Sequence, residues 1–292
     1  MNATRVAAAH ARAGLREQLI ATLPVSERRL TLNGVGTAVL EGGAGNSLVL
    51  LHGPGAYAAQ FLEVIPELVK THRIIAPDLP GHGESDFFDG ELLPERVNGW
   101  LDDLIECTCT EPPVLVGYTL GGAIAARFAA DHGSRVSALV LVDALGLAQF
   151  KPEPAFGAAL AAFLAHPDGS THDALWEQCA FDYSTLQRRI GSRWSLIREY
   201  TLDRARRPGG IAAVAAWMER VGSPALPDSV LERIRVPCTL VWGREDRATP
   251  LSVAREIHAR YGWPLHVVDG AADDPTVENP REFLRILRGS RG

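Results

Sequence analysis

The segment Val114 to Gly122, read as Val-Leu-Val-Gly-Tyr-Thr-Leu-Gly-Gly, most constrains what this chain can fold into. An apolar run rich in β-branched residues ends at Gly117, one polar residue follows at Thr119, and an Ala-rich helical pattern begins after Gly122. This order predicts a strand, a sharp turn and a helix, with Thr119 at the apex of the turn. Such a turn lifts one side chain above the carboxyl end of a parallel sheet, where chemistry is usually done.

Seven further short segments have the composition of strands, and helical patterns separate most of them. Buried strands that alternate with helices predict an α/β fold: a mostly parallel, eight-stranded sheet with helices on both faces. The seven segments are Arg28 to Leu32, Thr37 to Glu41, Ser47 to Leu51, Arg73 to Ala76, Val136 to Val142, Cys238 to Trp242 and Leu265 to Val268.

The strand pattern stops between residues 146 and 228, where helical stretches carry Trp176, Trp194 and Trp217. We expect residues 146–228 to form a helical lid inserted after the sixth strand, over an apolar cavity. The alternative is that these aromatic side chains are the core of the lid itself. The remaining divisions are an N-terminal helix over residues 1–25 and a core formed by residues 26–145 and 229–292.

Composition excludes several classes of function. The 292 residues carry a net charge of −6 and no basic block, which argues against a nucleic-acid partner. No apolar run is long enough to span a membrane. Charged residues interrupt the N-terminal stretch, so we expect a cytoplasmic protein whose first helix packs on its own body or on a second copy in a homodimer. The Ala, Gly and Arg bias is typical of a bacterial genome.

The sequence contains no metal or cofactor fingerprint, so cofactor-free chemistry on a small hydrophobic substrate is expected. No C-x-x-C pair is present, and reduced thiols are the expected state of the four cysteines. These are Cys107, Cys109, Cys179 and Cys238.

Five motifs, each at the end of a predicted strand, resemble those of the α/β-hydrolase superfamily, and the resemblance covers Arg28 to Leu287. The sequence is similar in character to small esterases, C–C bond hydrolases and cofactor-free tailoring enzymes of this fold. The motifs are His52-Gly53-Pro54-Gly55, Asp78 to Asp86, Gly117 to Gly121 with the spacing of a G-x-S-x-G nucleophile elbow, Trp242 to Asp246, and Gly270 to Pro280.

The resemblance implies a role for each matching position. Thr119 takes the place of the nucleophile, Asp246 that of the triad acid, and Asp273 that of the histidine base. The oxyanion hole would use the backbone N–H of Leu120 and that of the residue after His52-Gly53, a position that Pro54 occupies here, with Tyr118 and Gly55 beside them in the pocket wall. His52, His82, Asp78 and Asp86 are expected to be scaffold.

Three of these positions depart from the family pattern. A β-branched threonine is strained at the positive φ of an elbow, and its methyl group crowds the approach to a carbonyl. A carboxylate of ordinary pKa at Asp273 is a weak base for an alcohol. Proline has no N–H, and losing one oxyanion donor typically lowers the rate by about 10²–10³. Gly55 supplies that N–H if the loop shifts by one residue.

These departures lead to three hypotheses, of which we prefer the first. It is an enzyme of secondary metabolism that performs non-hydrolytic acid–base chemistry (a cyclase, dehydratase, isomerase or lyase), in which Asp246 and Asp273 share a proton. The second is a specialised or weak ester or C–C bond hydrolase that uses Thr119 or water activated by the carboxylates. The third is a non-catalytic binding protein.

Each site residue also has a purely structural alternative. Thr119 would then only bond locally, Asp246 would cap the following helix, and Asp273 and Asp274 would be turn residues before Pro275. Rescue of the missing base by a lid histidine, His166 or His172, is a further alternative.

Overall fold

The structure is a computed structural model that describes residues 14–289. Its eight strands form one sheet in the order β1-β2-β4-β3-β5-β6-β7-β8, in which β2 is antiparallel to β1 and β4 and the other neighbours are parallel. The predicted fold class is confirmed. The strands are β1 (Ser26–Leu32), β2 (Val35–Gly42), β3 (Ser47–Leu51), β4 (Arg73–Pro77), β5 (Val114–Tyr118), β6 (Ala138–Val142), β7 (Cys238–Gly243) and β8 (Leu265–Val268).

Helices surround the sheet, and six of those described, α5 to α10, lie between β6 and β7. The predicted N-terminal helix is helical over residues 14–20, and residues 1–13 lie outside the described part. The helices are α1 (14–20), α2 (Ile65–Leu68), α3 (Pro94–Thr108), α4 (Leu120–Asp131), α5 (Pro154–Ala165), α6 (Gly169–Cys179), α7 (Tyr183–Ile190), α8 (Ser192–Ala205), α9 (Gly210–Trp217), α10 (Asp228–Leu231), α11 (Leu251–Tyr261), α12 (Pro275–Glu278) and α13 (Pro280–Gly289).

Successive residues of the central strands belong to two different hydrophobic cores. In β3, Val49 lies in one core and Leu48 in the other, and Leu115 and Val116 of β5 divide in the same way. The first core includes α3, α4 and α11, and the second includes α12 and α13. Because side chains alternate across a strand, helices on both faces require continuous apolar strands, as the sequence shows.

The strand order reverses at β3, which lies between β4 and β5. Such a switch point opens a crevice at the carboxyl ends of the strands, because the two following connections leave in opposite directions. The loop after β3 and the turn after β5 therefore face each other across this crevice. This topology places the segment around Pro54 beside Thr119.

Arg16 of α1 joins three distant parts of the fold through a buried guanidinium group. It forms ion pairs with Glu27 of β1 at 2.9 Å and with Asp78, after β4, at 2.8 Å. Its Nη1 also donates to the hydroxyl of Tyr200 in α8 at 3.1 Å. The first described helix is therefore bonded both to the sheet and to the helices between β6 and β7.

We predict that Arg16→Met lowers the free energy of unfolding by about 3–5 kcal/mol, because the fully buried Asp78 carboxylate loses its counter-ion. Urea unfolding followed by circular dichroism measures the change. The matched control is Arg28→Gln, which breaks a pair whose arginine is 48% exposed and should change stability by less than about 1 kcal/mol. Equal losses in both variants would contradict the prediction.

Candidate active site

The turn between β5 and α4 holds Thr119 in a strained conformation. Its φ of 44° and ψ of −105° are unusual for a β-branched residue and cost about 1–3 kcal/mol. The Thr119 N–H donates to Val142 O at 2.9 Å, and its carbonyl accepts from Leu145 N at 3.0 Å. Neighbouring strand β6 and the residues after it therefore hold the strained turn in place.

Glycines allow this turn to pack against β3 and β6. A Cβ on Gly121 would lie 2.1 Å from Leu51 O, and one on Gly122 would lie 2.5 Å from the Cβ of Ala144. A Cβ on Gly117 would lie 2.4 Å from Gly121 O. Any side chain at these positions would therefore move the helix away from the sheet and displace Thr119.

The hydroxyl of Thr119 is buried and has no hydrogen-bond partner within residues 14–289. It lies against Gly53, where an added Cβ would come within 2.4 Å of Oγ1. An unpaired buried hydroxyl is destabilising, since it has lost its bonds to water. The group is therefore better suited to contact a bound molecule than to hold the fold together.

The loop after β3 contains a turn in which Ala56 N donates to Gly53 O at 3.3 Å. Pro54 and Gly55, whose φ is 71°, occupy the central positions, as is typical of a type II turn. The N–H of Gly55 has no acceptor in the described chain, and neither has that of Leu120, the first residue of α4. Two free backbone donors thus remain, although Pro54 supplies none.

A cavity of about 570 Å³ lies between these loops and the helices of residues 154–222. Five of the seven predicted site residues line it: Pro54, Gly55, Tyr118, Thr119 and Asp273. Asp246 and Leu120 lie behind the wall and do not line it. Most of the lining is apolar, and aromatic rings contribute from the helices after β6; these are Phe156, Phe163, Trp176 and Trp194.

Asp273 reaches the cavity from the loop after β8. Its Oδ2 accepts the hydroxyl of Tyr118 at 3.0 Å, while Oδ1 has no partner among residues 14–289. Burial, with the neighbouring Asp246 and Asp274 carboxylates, raises the pKa of Asp273 well above its usual value. Once ionised, a carboxylate with a raised pKa is a stronger base than a solvated one.

Asp246 lies behind the cavity wall, in the loop after β7. Its Oδ1 accepts the N–H groups of Ala248 at 2.7 Å and Thr249 at 3.0 Å. Burial raises the pKa of Asp246 to about 7 against the effect of these bonds. Asp246 is also the largest electrostatic influence on Asp273, after burial, in the described structure. The two predicted carboxylates thus interact, although only Asp273 borders the cavity.

Asp143 is a third buried carboxylate that the sequence predictions omitted. It follows β6, has a φ of 44°, and accepts Gly243 N–H through Oδ1 at 2.9 Å. Burial and the nearby Asp246 raise its pKa well above the usual value. The sequence does place an aspartate after each of the strands β6 and β7, but this becomes a signal only once the structure shows that the two strands are neighbours.

Among the histidines, only His82 lines the cavity, within the part of the chain described. Burial lowers the pKa of His82 to about 4, so its neutral ring is a weak base. His52 braces its loop as expected, because Nε2 accepts Leu79 N–H at 2.9 Å and Nδ1 bonds Gly53 O at 2.8 Å. His172 is enclosed by aromatic rings of the helices after β6.

No group of His, Cys, Asp and Glu side chains within residues 14–289 could hold a metal ion. No helix in that range has the length and apolar character needed to cross a membrane.

Residues 48–286 match the model of the alpha/beta hydrolase family, and the chain belongs to that family. Pimeloyl-[acyl-carrier protein] methyl ester esterase of Neisseria meningitidis is 29% identical over 255 residues, which cover 82% of this chain and 91% of that protein. The 2-hydroxy-6-oxo-2,4-heptadienoate hydrolase of Pseudomonas putida is 28% identical over 283 residues, which cover 89% of this chain and 94% of that protein.

Solved structures show the same fold at lower sequence identity. Carboxylesterase CesB from Bacillus subtilis superposes with a TM-score of 0.80 at 17% identity and covers 96% of this chain and 97% of its own. The 2-hydroxy-6-oxo-6-phenylhexa-2,4-dienoate hydrolase from a Rhodococcus strain superposes with a TM-score of 0.77 at 23% identity. It covers 91% of this chain and 98% of its own.

The relatives correct the preferred hypothesis for function. They are named as a methyl ester esterase and as hydrolases of 2-hydroxy-6-oxo acids, so the hypothesis of a cyclase, dehydratase, isomerase or lyase is wrong. Its alternative, a hydrolase, is the one that they support.

We predict that the free energy of unfolding falls as pH rises from about 6.5 to about 8.5. Unfolded aspartates, with pKa near 3.9, are ionised throughout this range, whereas Asp143 and Asp273 hold protons in the fold. Each retained proton contributes a slope of about 1.4 kcal/mol per pH unit. His52 and His82 have lowered pKa values and are mostly neutral in both states above about 6.5. Urea unfolding across this range is the measurement, and stability that rises with pH would contradict the prediction.

Proposed function

We propose that this protein hydrolyses an ester or a C–C bond in a small, mostly apolar substrate, with Thr119 as nucleophile and Asp273 as base. The observation that carries the proposal is that an unsatisfied Thr119 hydroxyl and a carboxyl group with a raised pKa line the same mostly apolar cavity. A base whose pKa is raised toward the operating pH is more effective in general-base catalysis. The carboxylate would then perform the role that the family gives to imidazole.

Tyr118 supports this role for Asp273 by fixing one carboxylate oxygen through its hydroxyl group. The other oxygen, Oδ1, remains available to accept a proton. The pKa of Asp273 lies well above its usual value, so the basic form becomes more populated as pH rises. Hydrolysis should accordingly be faster at alkaline than at neutral pH.

The unpaired N–H groups of Gly55 and Leu120 are the proposed oxyanion donors. A substrate carbonyl that approaches Thr119 would place its oxygen between the loop after β3 and the start of α4. Donors already held in place stabilise the developing negative charge without reorganisation. Using Gly55 in place of Pro54 removes one of the three obstacles that the sequence presented.

The helices over residues 146–228 are proposed to act as a lid over the substrate. Aromatic rings from this segment line the cavity, and a volume of about 570 Å³ suits a small organic molecule. The named substrates of the relatives, a methyl ester and 2-hydroxy-6-oxo-dienoates, indicate the two bond types to test first.

A second route has its own supporting observation. Oγ1 of Thr119 is enclosed against Gly53, which hinders direct attack on a carbonyl. In this route Asp273 would activate a water molecule and Thr119 would only contact the substrate. Both routes need the Asp273 carboxylate, and they differ in whether a covalent intermediate forms on Thr119.

We predict that Asp273→Asn lowers kcat/KM by about 10²–10⁴, because the amide cannot accept the proton. The assay uses p-nitrophenyl butyrate and 2-hydroxy-6-oxo-2,4-heptadienoate at alkaline pH. Asp269→Asn is the matched control, since it makes the same change at an exposed carboxylate near the end of β8. Full activity of Asp273→Asn, or no turnover of either substrate by the natural protein, would refute the proposal.

The two routes give different masses after treatment with an alkyl fluorophosphonate. We predict one adduct on Thr119, a faster adduct in Thr119→Ser because the crowding methyl is gone, and none in Thr119→Ala. Intact mass and peptide mapping make the measurement. If Thr119→Ala forms no adduct but keeps its rate of hydrolysis, water rather than Thr119 is the nucleophile.

A further inference from the structure

Asp143 and Asp246 are two buried carboxyl groups that face each other behind the cavity wall. They are close enough for a side-chain hydrogen bond. In each group one oxygen is satisfied by backbone N–H donors: Gly243 bonds Asp143, and Ala248 and Thr249 bond Asp246. The other oxygen, Oδ2 in both, has no partner among the described residues.

If both groups were ionised, neither Oδ2 atom could bond to the other, because a carboxylate only accepts hydrogen bonds. Burying both charges together would also be unfavourable. One proton between the two Oδ2 atoms removes both difficulties, since it supplies the missing bond and leaves a single negative charge. The backbone contacts indicate where that charge lies: Asp246 accepts two N–H groups and Asp143 accepts one, so Asp246 is the better stabilised anion.

We propose that Asp143 is a positioning residue that stays protonated and donates to Asp246, taking the place of the imidazole N–H that the triad acid holds in the family pattern. The pairing is inferred from the two buried, unpartnered Oδ2 atoms and from the side-chain proximity of the two groups at the ends of adjacent strands. Its effect on Asp273 rests on the proposed hydrolysis. By keeping Asp246 ionised, Asp143 maintains the negative charge that makes Asp273 more basic.

The largest electrostatic influences on this cluster come from acids: Asp246 and Asp273 act on Asp143, and Asp143 acts on Asp246. Within residues 14–289, neither Asp143 nor Asp246 forms an ion pair with a lysine, arginine or histidine, because their Oδ1 atoms bond backbone N–H groups and their Oδ2 atoms have no partner. A shared proton is therefore the means of neutralising the pair. The groups that act on Asp273 are Asp246, Asp274, Glu278 and Tyr118, and Cys179 interacts with it as well.

The first test measures the shared proton by stability and needs no substrate. In Asp143→Asn the new amide can accept from Gly243 and donate to Asp246, so the geometry is kept without a titrating proton. Between about pH 6.5 and 8.5, we expect the unfolding equilibrium constant of this variant to increase with pH less steeply than that of the natural protein. The difference between the two increases is up to about tenfold per pH unit. Asp246→Asn should behave in the same way, and Asp269→Asn is the surface control.

An unchanged pH slope in both single variants would overturn the shared proton, whatever the activity. A flatter slope in both would support it. Having two variants on opposite sides of the bond keeps the test valid if one of them folds poorly.

The second test asks whether the pair sets the basicity of Asp273. Asp143→Asn leaves the charge on Asp246, so the acidic limb of the pH profile of kcat/KM should stay in place. The double variant Asp143→Asn/Asp246→Asn removes that charge and should shift the limb to lower pH. Asp143→Ala, which cannot donate, should lose activity that Asp143→Asn retains.

If the acidic limb of the pH profile of kcat/KM stays in place in the double variant, the claim that the charge on Asp246 makes Asp273 more basic is wrong. This holds even if the stability test supports the Asp143–Asp246 pair. Equal activity of the Ala and Asn variants would overturn the donating role of Asp143. If the natural protein hydrolyses none of the substrates, the proposed function fails, and the stability test still decides the pairing.

Discussion

Close backbone packing at the glycines of the β5–α4 turn is the constraint on which the rest of the site depends. A side chain at Gly121 would collide with the carbonyl of Leu51 at the end of β3. The same approach brings the loop after β3 against Thr119 and leaves its hydroxyl beside Gly53. The strained backbone of Thr119 persists because bonds to Val142 and Leu145 hold it from the neighbouring segment. Position and strain at this turn are thus set by packing rather than by the residue at its apex.

The site has three buried carboxyl groups, and Asp273 occupies the position where the family resemblance would place a histidine. Buried acids without an ion-pair partner retain protons, as the raised pKa values of Asp143 and Asp273 indicate. The carboxyl groups of the site consequently include both a proton donor and a strengthened base. Burial disfavours the charged form of a carboxyl group, and by raising the pKa it also makes the ionised carboxylate a stronger base.

Much of the fold was predictable because strand periodicity and glycine turns are local signals. All eight strands fell within about three residues of their observed ends, as the buried runs of β3 and β5 illustrate. Asp274 differs from its expected role as a turn residue, because it caps α12 through Thr276 N–H. The pairing of Asp143 with Asp246 could not be read from local pattern, since it depends on which strands are neighbours. The pKa of Asp273 depends on burial, which spacing along the chain does not reveal.

Arg16 lies outside residues 48–286, the part of the chain that matches the family. Its bond to Tyr200 nevertheless reaches α8, and Trp194 and Ile197 of the same helix line the cavity. The shape of the cavity roof in this protein therefore depends partly on a segment that precedes the family's common core. Differences in substrate preference among relatives can consequently arise from residues that an alignment of the shared domain does not include.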